Sequence, residues 1–311
     1  MGKITAVCIS KEKGTPKENI EKCEIIENFG LKDDAHAGSI RQVSLLSLER
    51  VKEAEEKLKE SSGESAIKLT PGIFGENILA EGIDFKSYPL GTVFEIGECR
   101  LALTQIGKKC HSGCTVQNLT GKCIMPTEGV FAKVLKGGTV KVGDDIKVAE
   151  KRMFTAAVLI ASDRSARGER EDKSGVLAKE ILENADYLVL DYKVLPDDRQ
   201  ELENKLKSLC DETKPDVVFT SGGTGLSPRD CMPEATLSVA EKIVPGIAEA
   251  IRAYSMTITK KAMLSRAVSV MRGKTLIINL PGSPKAVKEC LEYVLPVLEH
   301  GIEIMRGEGD N

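Results

Sequence analysis

Tryptophan is absent from this chain of 311 residues, and aromatic residues make up only 4% of it. The chain therefore has few of the stacking surfaces on which single-stranded nucleic acids bind. Neither sign of charge is in large excess, because 44 lysines and arginines face 47 acidic residues and leave a net charge of −3. Without a basic field or stacking surfaces, we expect no nucleic-acid partner.

A long hydrophobic run is also missing. No apolar stretch approaches the ~18 residues that a membrane span needs, and the apolar core near the amino terminus is too short for a signal peptide. These features predict a cytoplasmic protein without a membrane partner. Its nine cysteines would then stay reduced, so a cysteine with a special role would be catalytic or bound to a metal.

The first half of the chain has little helical periodicity. Short apolar segments between Gly, Asp and Pro turns predict strands at 3–9, 23–27, 43–46, 92–96, 100–105, 130–134 and 139–142. Residues 143–148 are expected to form the last hairpin, and one helix is expected at 47–60. Many short strands beside one long helix predict a mostly-β, barrel-like domain over residues 1–148.

Strands and helices alternate in the second half. Strands are expected at 155–161, 187–195, 216–221 and 274–280, and helices at 173–184, 199–212, 235–242, 246–258 and 284–299. This alternation predicts an α/β domain with a doubly wound, mainly parallel sheet over residues 153–311. The charged, non-periodic segment 149–152 is the predicted linker between the two domains. Two domains are also what a chain of this length is expected to contain.

A glycine turn follows one of the expected buried strands. In Ser221-Gly222-Gly223-Thr224-Gly225, the glycines expose backbone N–H groups and let a ligand approach the main chain closely. Such a turn at the carboxyl edge of an α/β sheet is typical of a phosphate site. The turn matches neither the dinucleotide fingerprint nor Walker A, and the alternative is a simple connection between strand and loop.

Two aspartates follow strands near this turn. A carboxylate beside a phosphate cradle repels the ligand unless a cation lies between them, so Asp230, next to Arg229, is a candidate Mg²⁺ ligand. The alternative is a turn aspartate bonded to its own backbone. Asp197 follows another strand, and because Asp198 with Glu201 forms a capping-box-like pair, Asp197 is left to face the cleft.

The remaining candidate binding residues stand at other strand ends and helix starts. They are Ser162, Asp163, Asp172, Ser174, Gly282, Ser283 and Lys285. Ser283 before Pro284 also suits a purely structural helix cap. Lys285 in the first turn of that helix opposes the helix dipole, which favours a contact with an anionic ligand.

Seven motifs follow one another through residues 155–306. They are Ser162-Asp163-Arg164, Asp172-Lys173-Ser174-Gly175, Leu195-Pro196-Asp197-Asp198, Thr220-Ser221-Gly222-Gly223-Thr224-Gly225, Arg229-Asp230, Pro233-Glu234-Ala235-Thr236 and Asn279-Leu280-Pro281-Gly282-Ser283-Pro284-Lys285. In this order they resemble the molybdopterin adenylyltransferase family of molybdenum cofactor biosynthesis. The family's usual turn reads Thr-Gly-Gly-Thr-Gly, and Ser221 keeps the hydroxyl of the first threonine.

The resemblance implies a reaction and its participants. The terminal phosphate of molybdopterin would attack the α-phosphorus of ATP, giving adenylylated molybdopterin and pyrophosphate. Mg²⁺ and catalytic carboxylates at Asp197 and Asp230 are implied. The candidate residues for binding substrate or nucleotide are Ser162, Asp163, Asp172, Ser174, Ser221, Gly222, Gly223, Thr224, Gly225, Arg229, Gly282, Ser283 and Lys285. Such a transfer needs positioning and charge neutralisation more than covalent chemistry.

Cysteines cluster in the first half, in Lys108-Lys109-Cys110-His111-Ser112-Gly113-Cys114, with Cys123 nine residues later. The two lysines beside Cys110 would lower its pKa and favour the reactive thiolate. A zinc site made by these cysteines and His111 is an alternative. A third is that the thiols are buried as small hydrophobic groups.

The cluster and three other segments, 30–38, 41–46 and 72–78, resemble a MOSC domain, named after the C-terminal domain of molybdenum cofactor sulfurase. The resemblance covers residues 1–148 and implies a β-barrel. It also implies binding of molybdenum cofactor and handling of sulfur through one cysteine, which we place at Cys110.

The sequence therefore predicts a bifunctional enzyme of cofactor biosynthesis, in which fusion raises the effective concentration of one domain's product near the other. Molybdopterin and ATP are the expected partners, together with other cofactor-biosynthesis enzymes, and family resemblance implies a homotrimer. A non-catalytic molybdopterin carrier is the alternative function. A dehydrogenase-like nucleotide fold is disfavoured because no GxGxxG follows the first strand of the second domain.

Overall fold

The computed structural model describes residues 1–62, 69–108 and 123–308. By its internal contacts the chain divides into two compact units, Met1–Met153 and Phe154–Asn311. No helix among the described residues is both long and apolar enough to cross a membrane. The cytoplasmic location stays a prediction.

The described residues of the first unit form short strands and one long helix, α1 (Leu48–Ser62). The strands are β1 (Gly2–Ile9), β2 (Glu18–Asn19), β3 (Lys22–Ile26), β4 (Gly30–Leu31), β5 (Val43–Ser47), β6 (Ile78–Glu81), β7 (Val93–Ile96), β8 (Cys99–Ile106), β9 (Val130–Lys136), β10 (Gly138–Lys141) and β11 (Asp145–Val148). A 3₁₀ turn lies at Phe85–Ser87.

Seven of these strands close into a barrel in the order β11-β7-β8-β9-β5-β6-β1, because β1 pairs back to β11. The barrel that the sequence predicts is thus confirmed. Closure leaves no unpaired edge within the ring, and apolar side chains such as Phe85 and Phe94, packed edge to face at 5.2 Å between ring centroids, fill its core. A separate small sheet has the order β10-β3-β4.

Two details of the first unit differ from the prediction. The expected hairpin at 143–148 is wrong, because β11 pairs with β1 and β7 while β10 pairs with β3. The second difference is β6, a buried barrel strand of only four residues that was not predicted. A run this short carries little periodicity, and only its pairing with β1 and β5 defines it.

The second unit alternates strands and helices. The strands are β12 (Phe154–Ala161), β13 (Tyr187–Leu195), β14 (Val217–Ser221), β15 (Lys242–Ile243), β16 (Ser269–Arg272) and β17 (Thr275–Leu280). The helices are α2 (Asp163–Ala166), α3 (Lys173–Asn184), α4 (Arg199–Ser208) with a π-helical continuation at Leu209–Thr213, α5 (Met232–Ser238), α6 (Pro245–Ile258) and α7 (Pro284–Arg306), and a 3₁₀ turn lies at Lys260–Leu264.

The sheet of the second unit has the order β13-β12-β14-β17-β16-β15. The strands β13, β12, β14 and β17 run parallel, and β16 and β15 add antiparallel at one edge. Apolar side chains of α3, α6 and α7 cover one face, and those of α4 and α5 cover the other. The α/β architecture expected for this half is confirmed.

One predicted helix of this unit is misplaced. The helix expected at 235–242 is observed at Met232–Ser238, and Lys242 already belongs to β15. The N–H of Glu241 donates to the carbonyl of Met271 at 2.9 Å, so the chain joins the edge of the sheet there. The sequence also gives no sign of the strand β16, since such a short strand is defined by its pairing with β17 and β15.

The start and the end of the second unit are joined at the amino edge of the sheet. Arg306, near the end of α7, donates to both carboxylate oxygens of Asp216, at 2.9 and 2.7 Å. Its guanidinium also lies over the ring of Phe154, 4.8 Å from the centroid. Asp216 in turn accepts from the N–H and the hydroxyl of Thr155 in β12.

The carboxyl ends of the four parallel strands lie at the opposite edge. These ends are Ala161, Leu195, Ser221 and Leu280. Because parallel strands end at the same edge of a sheet, the loops that follow them meet there, which is where open α/β sheets place their ligand sites.

Candidate functional site

Two of these loops are tied together by a reciprocal pair of hydrogen bonds. The N–H of Asp163 donates to the carboxylate of Asp197, and the N–H of Asp197 donates to the carboxylate of Asp163, both at 3.1 Å. Arg229 forms an ion pair with Asp163. These bonds fix the Asp163 and Asp197 carboxylates at the carboxyl ends of the parallel strands, next to the loop that follows β14.

The glycine turn packs too closely for side chains. Gly222 has φ +93°, and a Cβ there would overlap the carbonyl oxygen of Ala161. A Cβ on Gly223 would lie 3.2 Å from Asp197 Oδ1, and one on Gly225 would lie 2.8 Å from Asp230 Oδ2. Both sequence-predicted aspartates therefore lie directly against the backbone of the turn.

Three carboxylates are concentrated at this point. Burial raises the pKa of Asp197, and the negative charges of Asp163 and Asp230 raise it further. Among residues 1–62, 69–108 and 123–308, no group of three or more His, Cys, Asp or Glu side chains is arranged to hold a metal. What the structure does show is a pair of aspartates, Asp197 and Asp230, whose charges repel each other beside an open turn.

A cleft of about 440 Å³ opens beside the turn. It is lined by Gly222–Gly225 and Asp230, by residues of α6 and of the turn Lys260–Leu264, and by the start of α7. Apolar side chains of α6, such as Ile251 and Ile258, alternate there with polar ones such as Ser255 and Lys261. A small-molecule site has this size and this mixture of apolar walls and a few polar groups.

Sequence reasoning missed the residues on the α6 side of this cleft. Arg252 of α6 donates to the carbonyls of Ser265 and Ala267, at 3.1 and 2.9 Å, and so braces the segment before β16. Arg266 within that segment bonds to the loop after β14. No local pattern in the sequence marks these arginines, because their partners are main-chain carbonyls from other parts of the chain.

Several of the predicted binding residues have structural hydrogen bonds. Ser174 and Ser221 donate to the carbonyls of Gly282 and Pro281, each at 2.8 Å, and thereby hold the turn before α7 against the rest of the site. Gly282 lines the cleft with Thr224, and a Cβ on Gly282 would be 3.4 Å from the Cα of Gly222. The two glycine turns are therefore in contact.

The helix-start residues act as caps. The side chains of Ser162, Asp172 and Ser283 accept from backbone N–H groups at the starts of α2, α3 and α7, as good N-caps do. Lys285 lies on the first turn of α7 with 81% of its side chain exposed, 3.8 Å from Glu289. Ligand-binding roles for these four residues stay predictions.

The predicted thiol of the first unit, Cys110, lies outside the described residues with His111 and Cys114. Three described cysteines of the unit are buried: burial raises the pKa of Cys8 to about 12, that of Cys99 to about 11, and that of Cys23 as well. These three thiols are thus poor sources of thiolate at neutral pH.

Buried polar residues hold the loops of the first unit. Asp34 forms a buried ion pair with Lys17 at 2.5 Å and accepts from the N–H groups of Ser10 and His36. Glu76 accepts from two backbone N–H groups in its own loop, and burial raises its pKa to about 7. Asp34, His36 and Glu76 belong to the segments that resemble a MOSC domain, and two of them have clear structural roles here.

Comparison with known proteins matches both units. Residues 157–300 match the family described as "Probable molybdopterin binding domain", and residues 32–147 match the MOSC domain. A molybdopterin adenylyltransferase of Helicobacter pylori J99 is 42% identical over 154 residues, which are 48% of this chain and 86% of that protein. One of Escherichia coli K12 is 41% identical over 147 residues, 45% of this chain and 75% of that protein.

Solved structures match the same half of the chain. The molybdopterin biosynthesis enzyme MoaB from Thermus thermophilus is 42% identical, with a TM-score of 0.48, over 50% of this chain and 99% of that one.

Proposed function

The chain belongs to the molybdopterin adenylyltransferase family, and we propose that its second unit performs adenylyl transfer at the cleft beside the glycine turn. The observation that carries this placement is the contact of Asp197 and Asp230 with the backbone of that turn. The chain is an enzyme of molybdenum cofactor biosynthesis with a MOSC domain in its first half.

In the proposed reaction a phosphate oxygen of molybdopterin attacks the α-phosphorus of ATP. One P–O bond forms to the pterin phosphate, and the bond from the α-phosphorus to the oxygen bridging the β-phosphorus breaks. Pyrophosphate leaves with that electron pair. The nucleophile and the leaving group are both phosphates, so the protein has mainly to position them and offset their charge.

The backbone of the glycine turn supports phosphate binding. Gly222, Gly223 and Gly225 have no Cβ that would keep an anion away from the main chain, and a cation would offset the repulsion from the adjacent Asp197 and Asp230 carboxylates. The apolar wall of α6 would exclude water from a bound substrate and strengthen the electrostatic contacts within the cleft.

Mg²⁺ fits the donors that the site offers. Mg²⁺ is held by one or two carboxylates and substrate phosphates while it keeps several waters, and Asp197 and Asp230 provide such carboxylates at one turn. Burial and the neighbouring carboxylates raise the pKa of Asp197, and a bound cation would offset this cost of its negative charge. When bound, the cation would neutralise charge on the transferring phosphoryl group.

Incubation of the full chain with molybdopterin and Mg-ATP tests this function. We expect pyrophosphate and adenylylated pterin to form in equal amounts, and to require both substrates and Mg²⁺. A chain that binds molybdopterin without releasing pyrophosphate would instead be the non-catalytic carrier, an alternative that its similarity to molybdopterin adenylyltransferases does not favour.

For the first unit we propose cofactor binding or sulfur handling through Cys110. The proposal rests on the MOSC match over residues 32–147 and on the lysines that precede the cysteine.

Timed alkylation at neutral pH with mass mapping ranks the nine thiols. We expect Cys110 to react first and the buried Cys8 and Cys99 to react slowly, because their pKa values are raised. Faster labelling of Cys114 or Cys123 would move the role to that residue. Protection of all three that a chelator removes would indicate a structural metal.

We also propose that the chain assembles as a homotrimer, as the family resemblance implies. Exposed apolar side chains of the second unit support self-association, among them Ile243, Tyr293, Val297 and Ile304, which are between 44% and 72% exposed. Light scattering should give three times the chain mass, and a monomer across the accessible concentration range would contradict the proposal.

A further inference from the structure

Arg266 connects the segment before β16 to the loop after β14. Its Nε donates to the carbonyl of Gly225 and its Nη2 to the carbonyl of Asp230, both at 2.7 Å. Its own N–H donates to the carbonyl of Thr224 at 2.9 Å. One residue thus holds the glycine turn at one end of the loop and Asp230 at the other.

The guanidinium is itself held in place. Its Nη1 pairs with Glu234, in the first turn of α5. Partial burial acts to raise the pKa of Glu234, but the hydrogen bond from Arg266 and its charge bring that pKa below the ordinary value. Arg266 therefore faces an ionised carboxylate at neutral pH, and the planar fork cannot swing away without breaking this pair.

Few other contacts fix the shape of this loop. The ion pair between Arg229 and Asp163 is one of them. The described hydrogen bonds between Gly225 and Asp230 are otherwise local: the Asp230 N–H donates to the Ser227 carbonyl at 3.0 Å, and the N–H groups of Ser227 and Arg229 make 3.4 Å contacts. Leu226 is 65% exposed and adds little packing. Because the two bonds from Arg266 reach the carbonyls of both Gly225 and Asp230, they help to set the distance between the turn and the Asp230 carboxylate.

We propose that Arg266 is a positioning residue for adenylyl transfer. It holds the Asp230 carboxylate at the required distance from the phosphate-binding backbone of the glycine turn. This inference rests on the function proposed above. Arg266 does not line the cleft, so its effect on the reaction passes through the loop that it holds.

The geometry predicts how substitutions behave. Arg266→Gln removes the charge and the fork, so both carbonyls lose their shared donor. Arg266→Lys keeps the charge and the pair with Glu234, but a single ammonium does not reproduce the planar fork that reaches both carbonyls. Because a misplacement of about 1 Å can cost about 100-fold in rate, we expect kcat to fall by about that factor in the Gln variant and by less in the Lys variant.

Arg272, at the end of β16, supplies a matched control. It also makes a bidentate contact, to Asp211, and donates to the main-chain carbonyl of Val239, and its exposure is similar, 25% against 33% for Arg266. Arg272 is remote from the glycine turn. Arg272→Gln therefore removes an arginine that likewise bonds to a carboxylate and to a main-chain carbonyl, but it leaves the contacts of the Asp230 loop unchanged.

Steady-state kinetics and hydrogen exchange test the inference on the full chain. We expect Arg266→Gln to lower kcat with KM for molybdopterin changed less than about threefold, while Arg272→Gln keeps wild-type values. Peptides covering 222–231 should exchange faster in Arg266→Gln alone. Should Arg266→Gln fail to fold, Glu234→Gln serves as a milder second variant, because it frees the guanidinium of Arg266. We expect it too to lower kcat and to speed the exchange of peptides 222–231.

The possible results separate the two proposals. An inactive wild-type chain would refute the proposed function, and the exchange of peptides 222–231 would still report on Arg266. Wild-type kcat in a folded Arg266→Gln variant, or equal losses in the Arg272→Gln control, would overturn the positioning role. Unchanged hydrogen exchange of peptides 222–231 in Arg266→Gln would also overturn it.

Discussion

Asp197 lies between two other carboxylates, and its backbone and its side chain both bond to Asp163. A residue kept only for stability would not be placed so, because burial and like charges raise its pKa and make its ionised form costly. Such a cost is typical of sites where function conflicts with stability. The aspartates of the site are therefore expected to differ from surface aspartates in both activity and stability.

We predict that Asp230→Asn removes most adenylyl transfer while the chain stays folded and still binds pterin. The substitution keeps the size of the side chain but removes the charge proposed to hold Mg²⁺, so the rate should fall by at least ~100-fold. Pyrophosphate release measures it. Asp186→Asn is the control, because Asp186 is exposed in a left-handed turn that asparagine adopts well. Equal rates in the two variants would contradict the role of Asp230.

For Asp197→Asn we predict a more stable but inactive protein. The folded-state pKa of Asp197 is raised, so ionisation costs the folded state stability as the pH rises above the unfolded-state value, and the cost is complete once the pH exceeds the folded-state pKa. The amide removes it and still accepts from the N–H of Asp163. Melting curves should show a higher Tm than wild type at about pH 7, with the gain shrinking toward about pH 4. A lower Tm at neutral pH would show that the charge is compensated.

At the scale of the elements, the glycine turn after β14 has little freedom to change. Gly222 combines a positive φ with contact against the carbonyl of Ala161, and Gly282 of the second turn packs on it. Neither turn could shift without moving β12 or the start of α7. The precision of the site thus derives from close contacts between backbones of different strands.

Gly222→Ala is predicted to destabilise the chain by about 1–3 kcal/mol, since it adds strain at φ > 0 and a clash with a main-chain carbonyl. Gly301→Ala should act in the opposite direction, by about 0.5–1 kcal/mol. Gly301 lies inside α7, and a Cβ there meets no atom within 4 Å. Urea unfolding of both variants measures the difference. Equal stability of Gly222→Ala and wild type would mean that the turn relaxes.

Features set by local sequence pattern could be predicted from the sequence, whereas features set by contacts between distant parts of the chain could not. Strands such as β12 and β13 and helices such as α3 have strong local periodicity, and the sequence analysis placed them to within a residue or two. The strands β6, β15 and β16 consist of two to four residues, too few to show a period. Arg266 was missed because its role arises from contacts with residues about 40 positions away.

For the whole molecule, the two units are expected to fold separately. The structure groups Met153 with the first unit, where its N–H donates to the carbonyl of Gly91 at 2.9 Å and Arg152 donates to that of Leu90 at 3.1 Å. The linker predicted at 149–152 is thus tied to the first unit, and the cut belongs directly after Met153.

We predict that residues 154–311 alone retain adenylyltransferase activity, with kcat and KM within about threefold of the full chain, because a domain with its own core folds alone. Phe154 must be kept, since the ring lies against Arg306. A fragment starting at Ala157, which lacks Phe154 and Thr155, is the matched control and should melt at lower temperature. An inactive 154–311 fragment beside an active full chain would point to a site that needs both units.

The junction of Phe154, Asp216 and Arg306 has a further consequence. It brings the first strand of the second unit and the end of its last helix together at the amino edge of the sheet, whereas the glycine turns lie at the carboxyl edge. Circular permutation that joins these two ends by a short linker and opens the chain elsewhere should therefore preserve the fold. For the same reason, a fusion partner attached at either end of this unit begins at the edge away from the cleft, which leaves the route for substrates open.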